Sequence, residues 1–175
     1  MDKIKKRNIL LSIIIILIIA ITALILCMIT LSSSKISVKN KTEKDLSASY
    51  IASSVVEKMN YQNLSEITAD NISKYYEIPK GVVEDARMYV SSRPESCTEI
   101  ACFKLTDASK EDELMKSVSD YINTKMNTYK GVSDKEYKNI TNSKTKTNYP
   151  YVIVVIANDS DAAISAFDSI VTPKS

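Results

Sequence analysis

Two cysteines are the residues of this sequence whose spacing most invites a chemical interpretation. Cys97 and Cys102 are separated by four residues in RPESCTEIACFKL, where they could form a disulfide, bind a metal or act as a redox pair. If this stretch is extended, their Cα atoms lie roughly 16 Å apart at about 3.3 Å per residue, and a disulfide needs at most about 7 Å. A metal or redox motif needs further ligands, and the sequence has no second pair and no histidine. We predict two free thiols, with Cys102 buried in a sheet and Cys97 nearer the surface.

The composition excludes several classes of chemistry. Without histidine, no Ser-His-Asp or Cys-His catalytic group and no His-ligated metal can be built from this chain. Its two glycines, Gly81 and Gly131, cannot supply a phosphate-binding P-loop or a dinucleotide-binding motif. We therefore predict no catalytic residue, no cofactor and no metal ligand.

A long uncharged stretch near the N-terminus predicts a membrane-spanning helix. Ile9 to Leu31 is a run of 23 residues without a charge, and as a helix it extends roughly 35 Å at about 1.5 Å per residue. This length spans a hydrocarbon core of about 30 Å. A buried core helix is the alternative, but a chain of 175 residues offers too little protein to surround one. A cleaved signal peptide has a shorter apolar run, so we favour an uncleaved anchor.

The charges around this anchor predict its orientation. The first seven residues carry four basic side chains and one acidic side chain, and positive charge stays in the cytoplasm. We predict a cytoplasmic tail at residues 1–8 and an extracytoplasmic C-terminal part, in a single-pass protein of the cell membrane. The whole chain has 23 basic and 21 acidic residues, so the part beyond the tail has a net charge of −1. It carries no basic stripe with interleaved aromatic residues, and we predict no nucleic-acid partner.

One face of the predicted anchor carries small residues. Ala20, Ala23, Cys27 and Thr30 recur at steps of three, four and three, and small residues let two helix backbones approach closely. They form a candidate face for helix association, for which lipid on all sides is the alternative. Lipidation of Cys27 is a further alternative, although Leu26, the residue before it, is larger than a lipoprotein cleavage site requires.

The predicted exported part begins with a polar linker and continues as one α+β domain. Residues 32–43 are poor in large apolar side chains and predict a linker with a reach of about 20 Å. Residues 44–175 form the domain, which begins with an amphipathic helix from Lys44 to Met59. Two pairs of strand-like segments follow, EDARMYVS with TEIACFKLT and NSKTKTN with YVIVVIA, with helices between and after them. The order helix, hairpin, helix, hairpin, helix predicts a four-stranded antiparallel sheet packed with helices.

The last strand sets a packing requirement of its own. YVIVVIA, Tyr151 to Ala157, is apolar on both faces, so both faces need cover. We predict that the helix at 44–59 packs over Val152, Val154 and Ile156, on the face opposite the later helices. The alternative leaves this face open as a docking site for another protein.

Two of these segments carry a family resemblance. The stretch YYEIPKGVVEDARMYVSSRPESCTEIACFKLTD, a long charged helix and NYPYVIVVIANDSDAAISAF resemble an uncharacterised family of exported proteins from Gram-positive bacteria, the domain of unknown function 4358. TEIACFKL resembles the family pattern Ala-Asp-Glu-Ile-Ala-Val-Phe-Lys, with Cys97, Thr98 and Cys102 at the Ala, Asp and Val positions. The resemblance covers roughly residues 70–170. It implies an extracytoplasmic protein, and a lipoprotein start from which this chain departs, but no activity.

The sequence favours binding over catalysis. Asp85, Arg87 and Tyr89 project from one face of a predicted strand and form the candidate recognition surface, for which a solvated strand face is the alternative. We predict a non-enzymatic binding or interaction module near the outer membrane surface, with the membrane and an envelope or membrane protein as partners. A histidine-independent cell-surface enzyme and an accessory subunit of a membrane complex are the alternatives. The sequence predicts no oligomeric state.

Overall fold

A computed structural model describes residues 45–172 of the chain. Within this range no helix is long and apolar enough to cross a membrane. Outside it lie the predicted cytoplasmic tail (1–8), membrane anchor (9–31) and linker (32–43), together with the candidate association face of Ala20, Ala23, Cys27 and Thr30.

Residues 45–172 form five α-helices, one 3-10 helix and five β-strands. In chain order the elements are α1 (Ala48–Lys58), β1 (Leu64–Thr68), α2 (Ala69–Ile72), β2 (Val83–Ser91), β3 (Glu99–Leu105), the 3-10 helix (Ala108–Lys110), α3 (Glu111–Tyr129), α4 (Asp134–Thr141), β4 (Lys144–Asn148), β5 (Tyr151–Ile156) and α5 (Ser160–Val171). This confirms the α+β class and the two predicted hairpins, β2 with β3 and β4 with β5, with helices before, between and after them.

The strands form one antiparallel sheet in the order β1-β2-β3-β5-β4. The predicted four-stranded sheet is therefore wrong by one strand, because β1 was missed. LSEIT, the sequence of β1, is short and does not alternate cleanly between buried and exposed positions. It becomes a strand because β2 is long enough to pair with it from Leu64 opposite Ser91 to Thr68 opposite Arg87. That pairing is tertiary and leaves a weak trace in the local sequence.

Helices cover both faces of this sheet. On the α1/α5 face, helices α1 and α5 pack over four buried residues of the central strands β3 and β5: Ile100, Cys102, Ile153 and Val155. On the α3/α4 face, helix α3 packs over Ala101, Phe103, Val152 and Val154, and Ile140 of α4 packs against Ile156. The fold therefore has three layers, which explains why β5 is apolar on both sides.

The position predicted for the first helix is partly wrong. Both faces of β5 are covered, as expected, and α1 lies on the α1/α5 face, where it packs on β2 and β3. However, α1 shares its face with the last helix α5, and the Val152, Val154 and Ile156 side of β5 lies under α3 and α4. The prediction assumed that all later helices occupy one layer, whereas the chain divides them between two.

The boundaries of α3 and α4 have identifiable local causes. The Ser133 side chain accepts a hydrogen bond from the Glu136 N–H (3.3 Å) at the start of α4, as its capping-box spacing predicts. The Asp107 carboxylate accepts one from the Ser109 N–H (2.8 Å) before α3. Gly131 follows the end of α3 with a φ of 76°, a conformation that favours glycine. These turns set the directions in which α3 and α4 leave the sheet.

Cys97 and Cys102 are free thiols, as predicted. Cys102 is fully buried on the α1/α5 face. Cys97 is only 2% exposed and packs against Ile140 and Ile156, so it is also buried, although less deeply than Cys102. The turn that carries Cys97 is covered by α4, whose place on the sheet the local sequence does not reveal.

Neither thiol is expected to react with a maleimide while the domain is folded. Burial raises the pKa of Cys97 to about 12 and the pKa of Cys102 further, so the reactive thiolate is scarce at neutral pH. In a chain with Cys27 replaced by serine, intact mass should show no adduct under native conditions and two adducts in denaturant. An intramolecular disulfide in most molecules, or rapid native labelling, would contradict this packing.

Candidate binding site

A buried carboxylate lies at the start of β3. Glu99 belongs to the same strand face as Ala101 and Phe103, because side chains alternate along a strand, and it is fully buried. It accepts hydrogen bonds from the Tyr76 hydroxyl (2.7 Å) and the Tyr121 hydroxyl (2.6 Å), and it forms an ion pair with Lys125. We call these four residues the Glu99 network. It joins β3 to α3 and to the segment before β2.

The aromatic rings of the Glu99 network pack against one another. The ring centroids of Tyr76 and Tyr121 lie 4.2 Å apart, and the Tyr76 ring makes an edge-to-face contact with Phe103 at 5.2 Å. Lys125 Nζ lies 3.1 Å from the Tyr121 hydroxyl and 5.3 Å from the centre of its ring. Burial, followed by the charge of Glu99, raises the pKa of both tyrosines, so they remain protonated donors. The Glu99 carboxylate therefore has hydrogen-bond and ion-pair partners within the protein and no contact with solvent. The role of the network is structural.

The Glu99 network was not predicted, although two features of the sequence point to it. Glu99 is a charged residue in step with apolar Ala101 and Phe103, which is unusual for the buried face of a strand. Tyr121 and Lys125 are four residues apart on a helix and therefore share one face. Only the tertiary structure shows that the two signals belong to one site.

A second polar contact lies nearby, between Cys97 and α4. The Cys97 N–H donates to the Glu136 side chain (2.9 Å), and its thiol donates to the Glu136 carbonyl (3.5 Å). Burial alone would raise the pKa of Glu136, but the hydrogen bonds that it accepts from Cys97 and Asn139 lower it below the ordinary value. Glu136 therefore fixes the turn before β3 through its ionised form.

This contact predicts part of the acid sensitivity of the domain. A carboxylate with a lowered pKa in the folded state stabilises the fold above its unfolded-state pKa of about 4.3, and the contribution is lost as the pH falls through the lower folded-state value. Glu136→Gln is therefore expected to weaken the loss of stability on acidification, measured as the urea midpoint below about pH 5. Glu77→Gln, at an exposed position, is the matched control. An unchanged pH dependence for Glu136→Gln would contradict this role.

A cleft of about 260 Å³ opens beside Tyr76. Helix α2, the loop that follows it and the start of β2 form its walls. Its lining includes apolar Ile72, Val83 and Ala86, together with the charged residues Asp70, Lys80, Glu84 and Asp85. Because Tyr76 also belongs to the Glu99 network, a rigid buried cluster supports one wall of the cleft.

Two of the acidic residues of the cleft are already engaged. Glu84 forms an ion pair with Lys104, which also contacts Asp45 at 2.7 Å. The hydrogen bonds to Asp45 and then Glu84 raise the pKa of Lys104. The Asp85 carboxylate accepts a hydrogen bond from the Ala48 N–H (2.7 Å) at the start of α1. Both side chains therefore serve the attachment of the N-terminal segment to the sheet.

That segment is held by a third group as well. The Tyr151 hydroxyl accepts a hydrogen bond from the Leu46 N–H and donates one to the Leu46 carbonyl, both at 2.8 Å. The Ser47 side chain then accepts from the Tyr50 N–H and caps α1. Residues 45–48 are thus fixed to the sheet before the first helix begins.

The predicted recognition residues share one face of β2, as the alternation indicated. Asp85 binds the Ala48 N–H, Arg87 forms an ion pair with Glu66 of β1, and Tyr89 packs against the core of the α1/α5 face. The Arg87 Nε is buried and has no hydrogen-bond partner among the described residues. Asp85 lines the cleft, whereas Arg87 and Tyr89 do not. Their role in recognition stays a prediction.

In residues 45–172 no three His, Cys, Asp or Glu side chains are placed to hold a metal ion together. The buried tyrosines and thiols with raised pKa values are held protonated, which removes them as nucleophiles at neutral pH. The cleft is a concave feature of the described residues that both apolar and charged residues line.

Comparison with known proteins agrees with the sequence resemblance. A family model described as Domain of unknown function (DUF4358) matches residues 57–157, more than half of the chain. The match includes all five strands, the cleft and the Glu99 network, while most of α1 and all of α5 lie outside it. No curated protein and no solved structure matches the chain.

Proposed function

This chain belongs to the DUF4358 family, whose function is unknown, and we propose that it is a membrane-anchored, extracytoplasmic binding module. In this proposal residues 9–31 anchor the chain in the membrane, and the domain at 44–175 binds a small ligand in the cleft beside Tyr76. The module acts close to the outer membrane surface through an envelope or membrane partner, and it does not catalyse a reaction.

The cleft is the observation that carries this proposal. Its volume of about 260 Å³ is just below the roughly 300–1,000 Å³ of pockets for drug-sized ligands, so it has room only for a smaller molecule. The Glu99 network fixes Tyr76, so that part of the cleft wall is organised before any ligand arrives. A preorganised wall reduces the entropic cost of binding. Apolar and charged groups in one cleft are the usual composition of a binding site.

Two further features support the location. The uncharged run at 9–31, with basic residues before it, is typical of a membrane anchor whose N-terminus is cytoplasmic. Asp45 and Leu46, shortly after the predicted linker, are fixed to the sheet by Lys104 and Tyr151. The boundary between linker and domain in this proposal is therefore close to residue 44.

Methyl-group NMR of the full chain in detergent tests the proposal. Ile72, Ile78 and Val83 line the cleft, and Ile164 and Ile170 on α5 lie outside it. Titration with the low-molecular-mass fraction of a cell-envelope extract should shift the cleft methyl signals in a saturable way and leave the α5 signals unchanged. Shifts confined to α5, or no saturable shift at the cleft, would overturn the proposal.

A further inference from the structure

The N-terminal segment of the domain and the cleft share one short stretch of β2. We call residues 45–48 the N-terminal strap, since contacts to the sheet hold them at the start of α1. Glu84 and Asp85 of β2 both line the cleft. Asp85 also accepts a hydrogen bond from the Ala48 N–H (2.7 Å), and Glu84 forms an ion pair with Lys104, which contacts the strap. The same two residues of β2 therefore meet both the strap and the cleft.

A β-bulge makes this double role possible. The register of β2 on β3 shifts between Val83 and Asp85, so Glu84 is the extra residue. Val83 and Ala86 pack against the core of the α3/α4 face. Glu84 and Asp85, although consecutive, both direct their side chains to contacts on the α1/α5 face, whereas neighbours in a regular strand point to opposite faces. The bulge thus has the strap on one side and the cleft on the other.

We propose that the strap regulates the cleft through this bulge. An attached strap holds Glu84 and Asp85, and with them the β2 wall of the cleft, in the conformation that binds a ligand. Release of the strap removes the hydrogen bond to Asp85, and the β2 wall is then free to move. The strap comes shortly after the predicted linker, so tension on the linker acts on the strap first. This inference rests on the proposed function and names how its site is regulated.

The contacts that hold the strap differ in strength. Asp45 is exposed, so its ion pair with Lys104 contributes little. Tyr151 is buried, and its hydroxyl binds both the N–H and the carbonyl of Leu46 at 2.8 Å. Tyr151 does not line the cleft. Tyr151→Phe therefore weakens the attachment of the strap and leaves the lining of the cleft unaltered.

Amide hydrogen exchange and methyl NMR of the full chain in detergent test the coupling without a ligand. The Leu46 amide reports on the strap, and the Val83 methyl groups report on the β2 wall of the cleft. In Tyr151→Phe, exchange at Leu46 should accelerate about tenfold, and the Val83 methyl signals should shift. The matched control Tyr61→Phe removes a hydroxyl that bonds Asp159 on the same face of the sheet, and it should change neither signal.

Two results would overturn the coupling. The first is faster exchange at Leu46 with unaltered Val83 methyl signals, which would mean that the strap moves without the cleft. The second is unaltered exchange at Leu46 even when Lys104→Met is added to Tyr151→Phe, because the strap would then not be held as described. An unchanged methyl signal of Ile140, which is buried under α4 and outside the cleft, shows that the variants remain folded.

A titration with the envelope extract separates this inference from the proposed function. The low-molecular-mass fraction should saturate the cleft signals of Tyr151→Phe at about tenfold higher concentration than those of the native chain. Equal midpoints would overturn the regulation, while the proposed binding function stands. No saturable shift in the native chain would overturn the binding function and the regulation with it.

Discussion

Replacing Lys125 with methionine is expected to destabilise the domain by about 3–5 kcal/mol. The change removes the positive charge that faces Glu99, a carboxylate with no exposed surface. Tyr76 and Tyr121 still donate to Glu99, but two neutral donors do not compensate a charge held away from water. Urea unfolding followed by tyrosine fluorescence measures the loss, and it reports on the domain alone because all ten tyrosines lie between residues 50 and 151.

Two controls separate charge compensation from packing. Lys130→Met makes the same change at an exposed position and should alter the unfolding free energy by no more than about 0.5 kcal/mol. The double variant Glu99→Gln with Lys125→Met should recover part of the loss, because it leaves no uncompensated charge in the core. A small effect of Lys125→Met, or strictly additive losses in the double variant, would show that the Glu99 network does not hold α3 on the sheet.

Removing α1 is the change with the second large expected effect. Ile51 and Val55 are fully buried on a helix that packs on β2, β3 and α5, so deletion of residues 44–59 should expose the β2 and β3 part of the α1/α5 face. We expect loss of cooperative unfolding and strong binding of a dye for apolar surface. Within the intact chain, Ile51→Ala should cost about 2–5 kcal/mol.

The matched control for this prediction lies on the outer side of the same helix. Glu57 is exposed, so Glu57→Ala should change the unfolding free energy by no more than about 0.5 kcal/mol. Deletion with unchanged stability and unchanged dye binding would mean that α1 is dispensable and that its face of the sheet can stay open. The open docking surface considered from the sequence would then be the better account.

The parts of the fold that follow from a local sequence pattern could be predicted. Alternation along β2 placed Asp85, Arg87 and Tyr89 on one face correctly, because the side-chain period of a strand is fixed. Lys144 and Lys146 in NSKTKTN are typical of an exposed edge strand, and β4 is an edge strand in which they pair with Asp161 and Asp168 of α5. The doubly apolar strand β5 required cover on both sides, and it has that cover.

The rest depends on contacts between distant segments. β1 is a strand only because β2 extends far enough to pair with it, and which helix covers which face of β5 is decided by connections rather than by periodicity. The cleft lies between α2 and the start of β2, and no local pattern in the sequence shows that these two segments line one concave surface.

The placement of the domain outside the cell is the central claim, and cysteine accessibility in intact cells tests it most directly. Val132 is 77% exposed between α3 and α4, and the two native thiols of the domain are buried. In a chain with Cys27 replaced by serine, a Val132→Cys variant should react with a membrane-impermeant maleimide in intact cells, while a Lys3→Cys variant should react only after lysis. Both variants should remain in the membrane fraction after an alkaline wash. Labelling of Val132→Cys only after lysis, or release of the chain by the wash, would contradict a membrane-anchored extracytoplasmic module.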